Sequence, residues 1–248
     1  MHRFLIVLAC LTLTSAPAAA QSGSILQDSS RAAVRSKTAT VVAGAEYEAS
    51  WLKQLFLGAH WRNLWTTPVQ AEVLDLRTFA GGLVPTERGG GSQSKSLRFK
   101  GADGKEYKLR SLDKSANLTL LPKDLQESVA ADVLQDQVCT SNPLSVLVAA
   151  PLVRAAGILS AQPQVVVIAD SAGLGAFPEF WNMPATLEQN PTAEKDDNNS
   201  FGGADKISSS YKFFDKLDED NDNRVQTTDF LKARLIDLFI GDWDRHID

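Results

Sequence analysis

Short strand-like runs separated by glycine residues constrain the fold of this chain more than any other feature. Connections this short join neighbouring antiparallel strands, and Gly-rich turns allow the backbone to reverse within a few residues. The sequence therefore predicts a twisted antiparallel sheet over this stretch. In chain order, the runs and turns are Asp75–Phe79, Gly81–Gly82, Gly89–Gly91, Ser96–Phe99, the tight turn Gly101–Gly104, and the returning strand Glu106–Leu112.

Helical periodicity follows the predicted sheet, beginning after Pro122. Because strands come first and helices later, the sequence indicates an α+β fold. The strands predicted here fall within residues 46–170, and a polar insertion and further helices follow over 171–248. Other expected elements are a helix at Ala49–Leu57, an aromatic and then strand-like stretch at Trp61–Val69, a helix around Pro151–Ala156, a buried strand at Val165–Ile168, a polar loop at Glu188–Ser210, and helices at Tyr211–Leu217 and Asp229–Ile240.

The first twenty residues have the pattern of a secretory signal peptide. A short basic start precedes the apolar run Phe4–Leu13, which is too short to span a bilayer, and an Ala-rich exit follows. We expect cleavage after Ala20 and a periplasmic or secreted protein. Residues 21–45 are rich in Ser, Ala, Thr and Gln without an apolar period, which predicts a flexible tether.

Charge and cysteine content exclude several classes of function. With 25 basic and 30 acidic residues, the formal net charge of −5 disfavours a nucleic-acid partner. Of the two cysteines, Cys10 lies in the predicted signal peptide, so Cys139 has no partner for an internal disulfide. The helical pattern around Cys139 predicts a buried structural residue. Zinc-type His and Cys spacing and a Gly-x-Ser-x-Gly motif are absent from the sequence, which disfavours a hydrolase.

Residues 218–229 have the ligand pattern of an EF-hand calcium loop, within a helix-loop-helix unit expected over 211–240. Carboxylates occupy the first, third and fifth positions, as oxygen ligands for a hard cation require. Val225 stands at the apolar anchoring position. The expected calcium ligands are Asp218, Asp220, Asp222, the backbone carbonyl of Arg224, Gln226 and Asp229.

Two positions depart from the EF-hand pattern. Asn223 stands where glycine is usual, and asparagine tolerates the left-handed turn best among the other residues. Asp229 replaces the usual bidentate glutamate, so we expect weak affinity, about 10⁻⁴ to 10⁻³ M. The alternative interpretation is an acidic loop that joins two helices without a metal, with Asp229 favourable at a helix N-terminus.

The final motif, Asp244-Arg245-His246 after a helix, resembles the catalytic loop of atypical protein-kinase-like enzymes: the lipid kinases, the HipA kinases and the secretory-pathway kinases. The resemblance implies an antiparallel-sheet kinase-like N-lobe over residues 46–170, followed over 171–248 by a hinge, the polar insertion and the start of a helical lobe. It further implies Asp244 as a base and His246 as a supporting residue. It also implies ATP and Mg²⁺ as cofactors, with a glycine loop over the phosphates, a cation on the returning strand, and an acidic partner on the following helix. The residues at those positions are Gly89, Gly90, Gly91, Arg110, Lys114 and Asp132.

The stretch of roughly residues 47–248 also resembles the periplasmic N-terminal region of bacterial outer-membrane proteins of the surface-antigen type, which suggests outer-membrane components as partners. The chain stops at Asp248, before the metal-binding Asn and Asp of such kinases, so we expect a truncated or degenerate relative. Three functions stay open: an exported calcium-binding protein in a kinase-like domain, the N-terminal fragment of an exported ATP-dependent phosphotransferase, and a non-catalytic periplasmic adaptor.

Overall fold

The structure, a computed structural model, describes residues 37–89, 93–192, 201–204 and 206–242. The predicted signal peptide and the tether up to residue 36 lie outside the described residues. Gly90, Gly91, Asp244 and His246 also lie outside them.

Seven strands of the described chain form one mixed sheet in the order β1-β2-β6-β7-β5-β4-β3. The strands are β1 (Thr38–Val41), β2 (Val69–Val73), β3 (Leu83–Gly89), β4 (Ser96–Gly101), β5 (Glu106–Ser111), β6 (Gln164–Val167) and β7 (Ala185–Gln189). Neighbours are antiparallel except β2 and β6, which run parallel with Glu72 opposite Val166. The α+β class is confirmed, but the expectation of a wholly antiparallel sheet is wrong. The connection from β2 to β6 is long enough for a parallel pair, since it contains β3, β4, β5 and two helices.

The β4–β5 hairpin forms where the sequence places it, and its turn explains why. Gly104 takes a φ of 81° and donates from its backbone to the Gly101 carbonyl at 3.0 Å. Asp103 accepts hydrogen bonds from the Lys105 backbone N–H at 3.0 Å and from the Tyr107 hydroxyl at 2.6 Å. The turn residues thus fix the register that sets Phe99 opposite Tyr107.

Helices fill the intervals between the strands. Ser50 caps the first of them by accepting a hydrogen bond from the Lys53 backbone at 3.3 Å, and Gly58 ends it with a φ of 87°. The helix expected at Ala49–Leu57 is therefore present, beginning two residues later. The helices are α1 (Trp51–Leu57), α2 (Arg62–Thr66), α3 (Val129–Asp136), α4 (Ser145–Ala155), α5 (Ser210–Glu219) and α6 (Thr227–Ile240).

Three expectations for the first third of the chain are wrong. Thr38–Val41, assigned to the tether, pairs with β2 as an edge strand. Arg62–Thr66, within the stretch expected to lead into a strand, forms α2. Asp75–Phe79 forms a turn, in which the Asp75 carbonyl accepts hydrogen bonds from the backbones of Thr78 and Phe79. Pairing with β2 explains the first case and the turn hydrogen bonds explain the third, while α2 buries the side chains of Arg62 and Trp65. In each case these interactions outweigh the local propensity.

The lobe boundary expected at residue 170 falls inside the sheet. Strand β7, at Ala185–Gln189, lies between β5 and β6, which both precede that boundary. The first residues of the expected polar loop, Glu188 and Gln189, belong to this strand. The sheet therefore extends to Gln189.

Two apolar clusters pack on the two faces of the sheet. Leu97, Leu109 and Leu187 lie opposite one another across β4, β5 and β7, and they belong to the larger cluster. Val166 points into this cluster, whereas its neighbour Val165 packs against the second. The second cluster joins the sheet to the helices through Ala43, Tyr47, Trp65, Leu112 and Cys139. Cys139 is a buried free thiol, as expected.

The stretch Val129–Ala155 has the length and hydropathy of a helix that crosses a membrane, on length and composition alone. The backbone divides it: α3 ends at Asp136, a 3₁₀ turn spans Gln137–Thr140, and α4 begins at Ser145. A bilayer core requires continuous internal backbone hydrogen bonding, which this break interrupts. We therefore describe the stretch as two helices beside the sheet.

Candidate functional site

The predicted calcium loop lies between two helices. Asp218 is in the last turn of α5, and Asp229 is in the first turn of α6. Ser209 caps α5 through a hydrogen bond from the Lys212 backbone at 3.5 Å. The intervening residues 220–226 connect the helices, so the expected helix-loop-helix is present. Helix α5 begins one residue earlier and ends two residues later than expected, and α6 begins two residues earlier.

Hydrogen bonds within the loop form a tight turn. Asp220 Oδ1 accepts from the Asp222 backbone at 2.9 Å, and the Asp220 carbonyl accepts from the Asn223 backbone at 3.1 Å. The Asn223 side chain donates to the Lys216 carbonyl at 2.6 Å. Asn223 is not among the described residues with positive φ, so the left-handed turn expected there is not adopted. The side-chain bond to Lys216 holds Asn223 instead.

The predicted ligands share one loop but do not converge. Within the described ranges, no three His, Cys, Asp or Glu residues gather closely enough to hold a metal ion. All six expected ligand residues are exposed. Asp229 forms an ion pair with Lys232 at 3.5 Å, whereas Asp218, Asp220 and Asp222 form no ion pair with another described residue. The donor set suits calcium chemically, and binding requires these three carboxylates to move together.

Two of the residues predicted to contact a nucleotide, Gly89 and Arg110, lie on either side of Ser96 across neighbouring strands. Gly89 lies opposite Ser96 on β4, and Ser96 lies opposite Arg110 on β5. Ser96 is fully buried, and its hydroxyl has no hydrogen-bond partner among the described atoms. A Cβ atom at Gly89 would approach that hydroxyl to 3.0 Å. The backbone therefore passes closely over a buried polar atom at the end of the β3–β4 hairpin.

Three cations occupy the sheet face that carries Arg110. Arg98 and Lys108 lie opposite each other on β4 and β5, two residues along from the Ser96–Arg110 pair. Arg110 Nε lies 3.5 Å from Glu188 Oε1. Desolvation first, and then the nearby Arg110 and Arg98, lower the pKa of the half-buried Lys108. Arg98 is paired in turn with Glu87 at 3.1 Å, so the net positive charge of this part of the face is that of Lys108.

The structure does not bring the other predicted nucleotide residues to Arg110. The Lys114 backbone carbonyl, not its side chain, binds to α3 by accepting from Gln135 Nε2 at 2.9 Å. Asp132 is exposed on α3 and forms no ion pair with Arg110 or Lys114. The expectation that Asp132 pairs with the β5 cation is therefore not met, because Glu188 on β7 occupies that role.

Sequence reasoning missed a buried ion group that joins α1, α2 and α3. Arg62 forms a bidentate pair with Asp136, at 2.9 Å and 2.5 Å, and Lys53 Nζ lies 2.7 Å from Asp136. The Arg62 hydrogen bond is the main cause that lowers the pKa of Asp136, and Lys53 adds to it. The sequence gives no sign of this pair, because 74 residues separate Asp136 from Arg62.

Comparison with protein-family models, with curated proteins and with solved structures finds no match to this chain. The functional interpretation therefore depends on the residues and their geometry.

Proposed function

We propose that the chain binds one calcium ion through residues 218–229. The observation that carries this proposal is the position of the acidic segment between α5 and α6. Asp218, Asp220 and Asp222 are exposed and form no ion pair with a described residue. Three such carboxylates within five residues repel one another, and a hard divalent cation relieves that repulsion.

Binding reorganises the loop. Asp220 Oδ1 exchanges its hydrogen bond with the Asp222 backbone for the cation, and the ion pair of Asp229 with Lys232 opens. Both interactions are exposed, so their loss costs little. The reorganisation nevertheless reduces the affinity, consistent with a dissociation constant of about 10⁻⁴ to 10⁻³ M.

Isothermal titration calorimetry and thermal unfolding with Ca²⁺ test this proposal. At a free Ca²⁺ concentration ten times the dissociation constant, binding stabilises the chain by about 1.4 kcal/mol, which corresponds to a rise in Tm of about 3 to 6 °C. The Asp220→Asn, Asp222→Asn double variant loses both signals.

Asp215→Asn provides the matched control, because Asp215 is an exposed carboxylate on α5 outside the ligand pattern. It keeps the calcium response of the parent chain. An unchanged Tm in the parent at millimolar Ca²⁺, or an equal rise in the double variant, would overturn the proposal.

A second candidate function is phosphate binding by a kinase-like sheet. A glycine hairpin, a cation strand, a helix and two further strands follow in order as β3–β4, β5, α3, β6 and β7. The unpartnered Ser96 hydroxyl favours this proposal, since it lies between Gly89 and Arg110. A buried hydroxyl without a partner is uncommon, and a bound anion supplies the missing hydrogen bond.

The residues present suit the terminal phosphates of a nucleotide in several respects. Glycine allows close approach of the backbone, and Arg110 offers a planar set of donors for phosphate oxygens. Lys108, with its lowered pKa, lies on the same sheet face. A bound Mg²⁺ would supply charge neutralisation between the phosphates. Asp244 and His246, the residues expected to act on the phosphoacceptor, lie outside the described residues.

Binding of ATP and of pyrophosphate, measured separately by calorimetry, tests the second candidate. Arg110→Gln weakens both by about tenfold, because it removes a charge-assisted contact. Arg154→Gln is the control, since Arg154 is an exposed arginine on α4 away from this face. Loss of binding in both variants alike, or no binding by the parent, would contradict the proposal.

A further inference from the structure

A cavity of about 680 Å³ lies between α5, α6 and the segment that leads into α5. Phe213 and Phe214 of α5 contact each other edge to face, with ring centroids 5.2 Å apart. Phe230 of α6 and Phe201 of the leading segment also line the cavity, together with Leu159 and Ile207. Its volume is within the range of small-molecule sites, and its walls are largely aromatic.

Two cations and no carboxylate are found among the described lining residues. Lys206 and Arg234 supply the positive charge. The Arg234 guanidinium lies 5.3 Å from the centroid of the Phe230 ring, and its Nη2 lies 2.7 Å from Asp237. Arg234 Nε is buried and has no hydrogen-bond partner among the described atoms. Because this atom is buried, a ligand in the cavity meets the rest of the Arg234 side chain, which lines the wall and carries a delocalised positive charge.

We propose that this cavity binds an anionic amphiphile, with one alkyl chain against the phenylalanines and a carboxylate or phosphate head at Arg234 and Lys206. A neutral apolar ligand would make no use of the two cations in the lining. A small polar anion would leave the aromatic walls in water. An alkyl chain with an anionic end satisfies both requirements, because it buries apolar area and places its negative charge beside the two cations.

Two sources share this ligand chemistry, a free fatty carboxylate and the head of a lysophospholipid. Calorimetry in calcium-free buffer, below the critical micelle concentration, compares oleate, 1-oleoyl-lysophosphatidate and oleyl alcohol. We expect one site, occupied by at least one of the two anions, with oleyl alcohol about tenfold weaker because it lacks the charge. The tighter of the two anions identifies the head group.

Variants locate the site. Lys206→Gln and Arg234→Gln each weaken anion binding by about tenfold and leave oleyl alcohol binding unchanged. Ala204→Trp fills the cavity and abolishes binding of all three ligands, because Ala204 lines the wall. Lys232→Gln is the matched control, since Lys232 lies on α6 outside the lining residues, and it binds as the parent does.

Circular dichroism verifies that each variant folds. If Arg234→Gln does not fold, the Lys206→Gln and Ala204→Trp variants test the proposal, since Lys206 is exposed and its substitution should not disturb folding. Equal binding of oleate and oleyl alcohol by the parent, binding retained in Ala204→Trp, or no binding of either anion would each overturn the proposal.

Discussion

Asp136 joins three helices at one carboxylate. It lies at the end of α3, accepts two hydrogen bonds from Arg62 of α2, and pairs with Lys53 of α1. Arg62 and Asp136 are both buried, whereas the Lys53 side chain is 36% exposed. A buried charge without its partner is far more costly than a broken surface pair. Arg62 should therefore contribute more than Lys53 to the free energy of unfolding.

Substitution of Asp136 and of Lys53 should separate the stabilisation from the buried Arg62–Asp136 pair from that of the exposed Lys53–Asp136 pair. Asp136→Asn leaves the Arg62 guanidinium buried without its counter-charge, and it should lower the free energy of unfolding by about 3 to 5 kcal/mol. Lys53→Met should lower it by less than about 1 kcal/mol. Urea unfolding at pH 7 measures both. Equal losses of unfolding free energy in the two variants would show that the buried pair stabilises the chain no more than the exposed one.

The same carboxylate predicts a pH dependence. The pKa of Asp136 is lowered in the folded chain, so the unfolded chain takes up its proton first as the pH falls. The stabilisation is present above the ordinary carboxyl pKa, near 3.8, and is lost as the pH falls through the lower folded value. Urea unfolding repeated between pH 5 and pH 2.5 should show this decline in the parent, with a smaller decline in Asp136→Asn.

At the scale of elements, the sequence predicts best where the signal is local. Helix α1 has a serine cap and a glycine end, the β4–β5 hairpin has its Asp-Gly turn, and α5 and α6 flank an acidic run that no helix interior favours. Each of these depends on residues within a few positions of one another. Periodicity and capping therefore recover them.

Elements that depend on residues distant in the sequence were missed, because periodicity and capping report only on neighbouring positions. Strand β1 has only four small residues, and its strand character comes from pairing with β2 about thirty positions later. Strand β7 was missed because its last residues are polar and were assigned to a loop. In the structure, Glu188 of this strand pairs with Arg110 of β5. The calcium ligands are contiguous and were found, whereas the cavity draws on residues from Leu159 to Arg234 and was not. Periodicity and spacing within a short segment give no information about contacts between distant segments.

At the scale of the whole molecule, the sheet separates two cores with different neighbours. One core is closed by loops, and the other lies between the sheet, helix α2 and the 3₁₀ turn Gln137–Thr140 that follows α3. Tyr47 and Trp65 pack there with ring centroids 4.6 Å apart, next to the buried Cys139. Opening this core requires the helices to leave the sheet, so access to Cys139 reports on unfolding of the helical side.

Thiol labelling measures this opening. In a Cys10→Ser background, Cys139 should react with an aromatic disulfide reagent at pH 8 at least about a hundredfold more slowly than an exposed cysteine, because burial hides the thiol and raises its pKa. The reference is Glu48→Cys in a Cys10→Ser, Cys139→Ser chain, since residue 48 is exposed near the same core. Asp136→Asn should accelerate labelling of Cys139, because it weakens the attachment of the helices. Labelling of Cys139 as fast as the reference would show that the helical side opens without breaking the buried ion group.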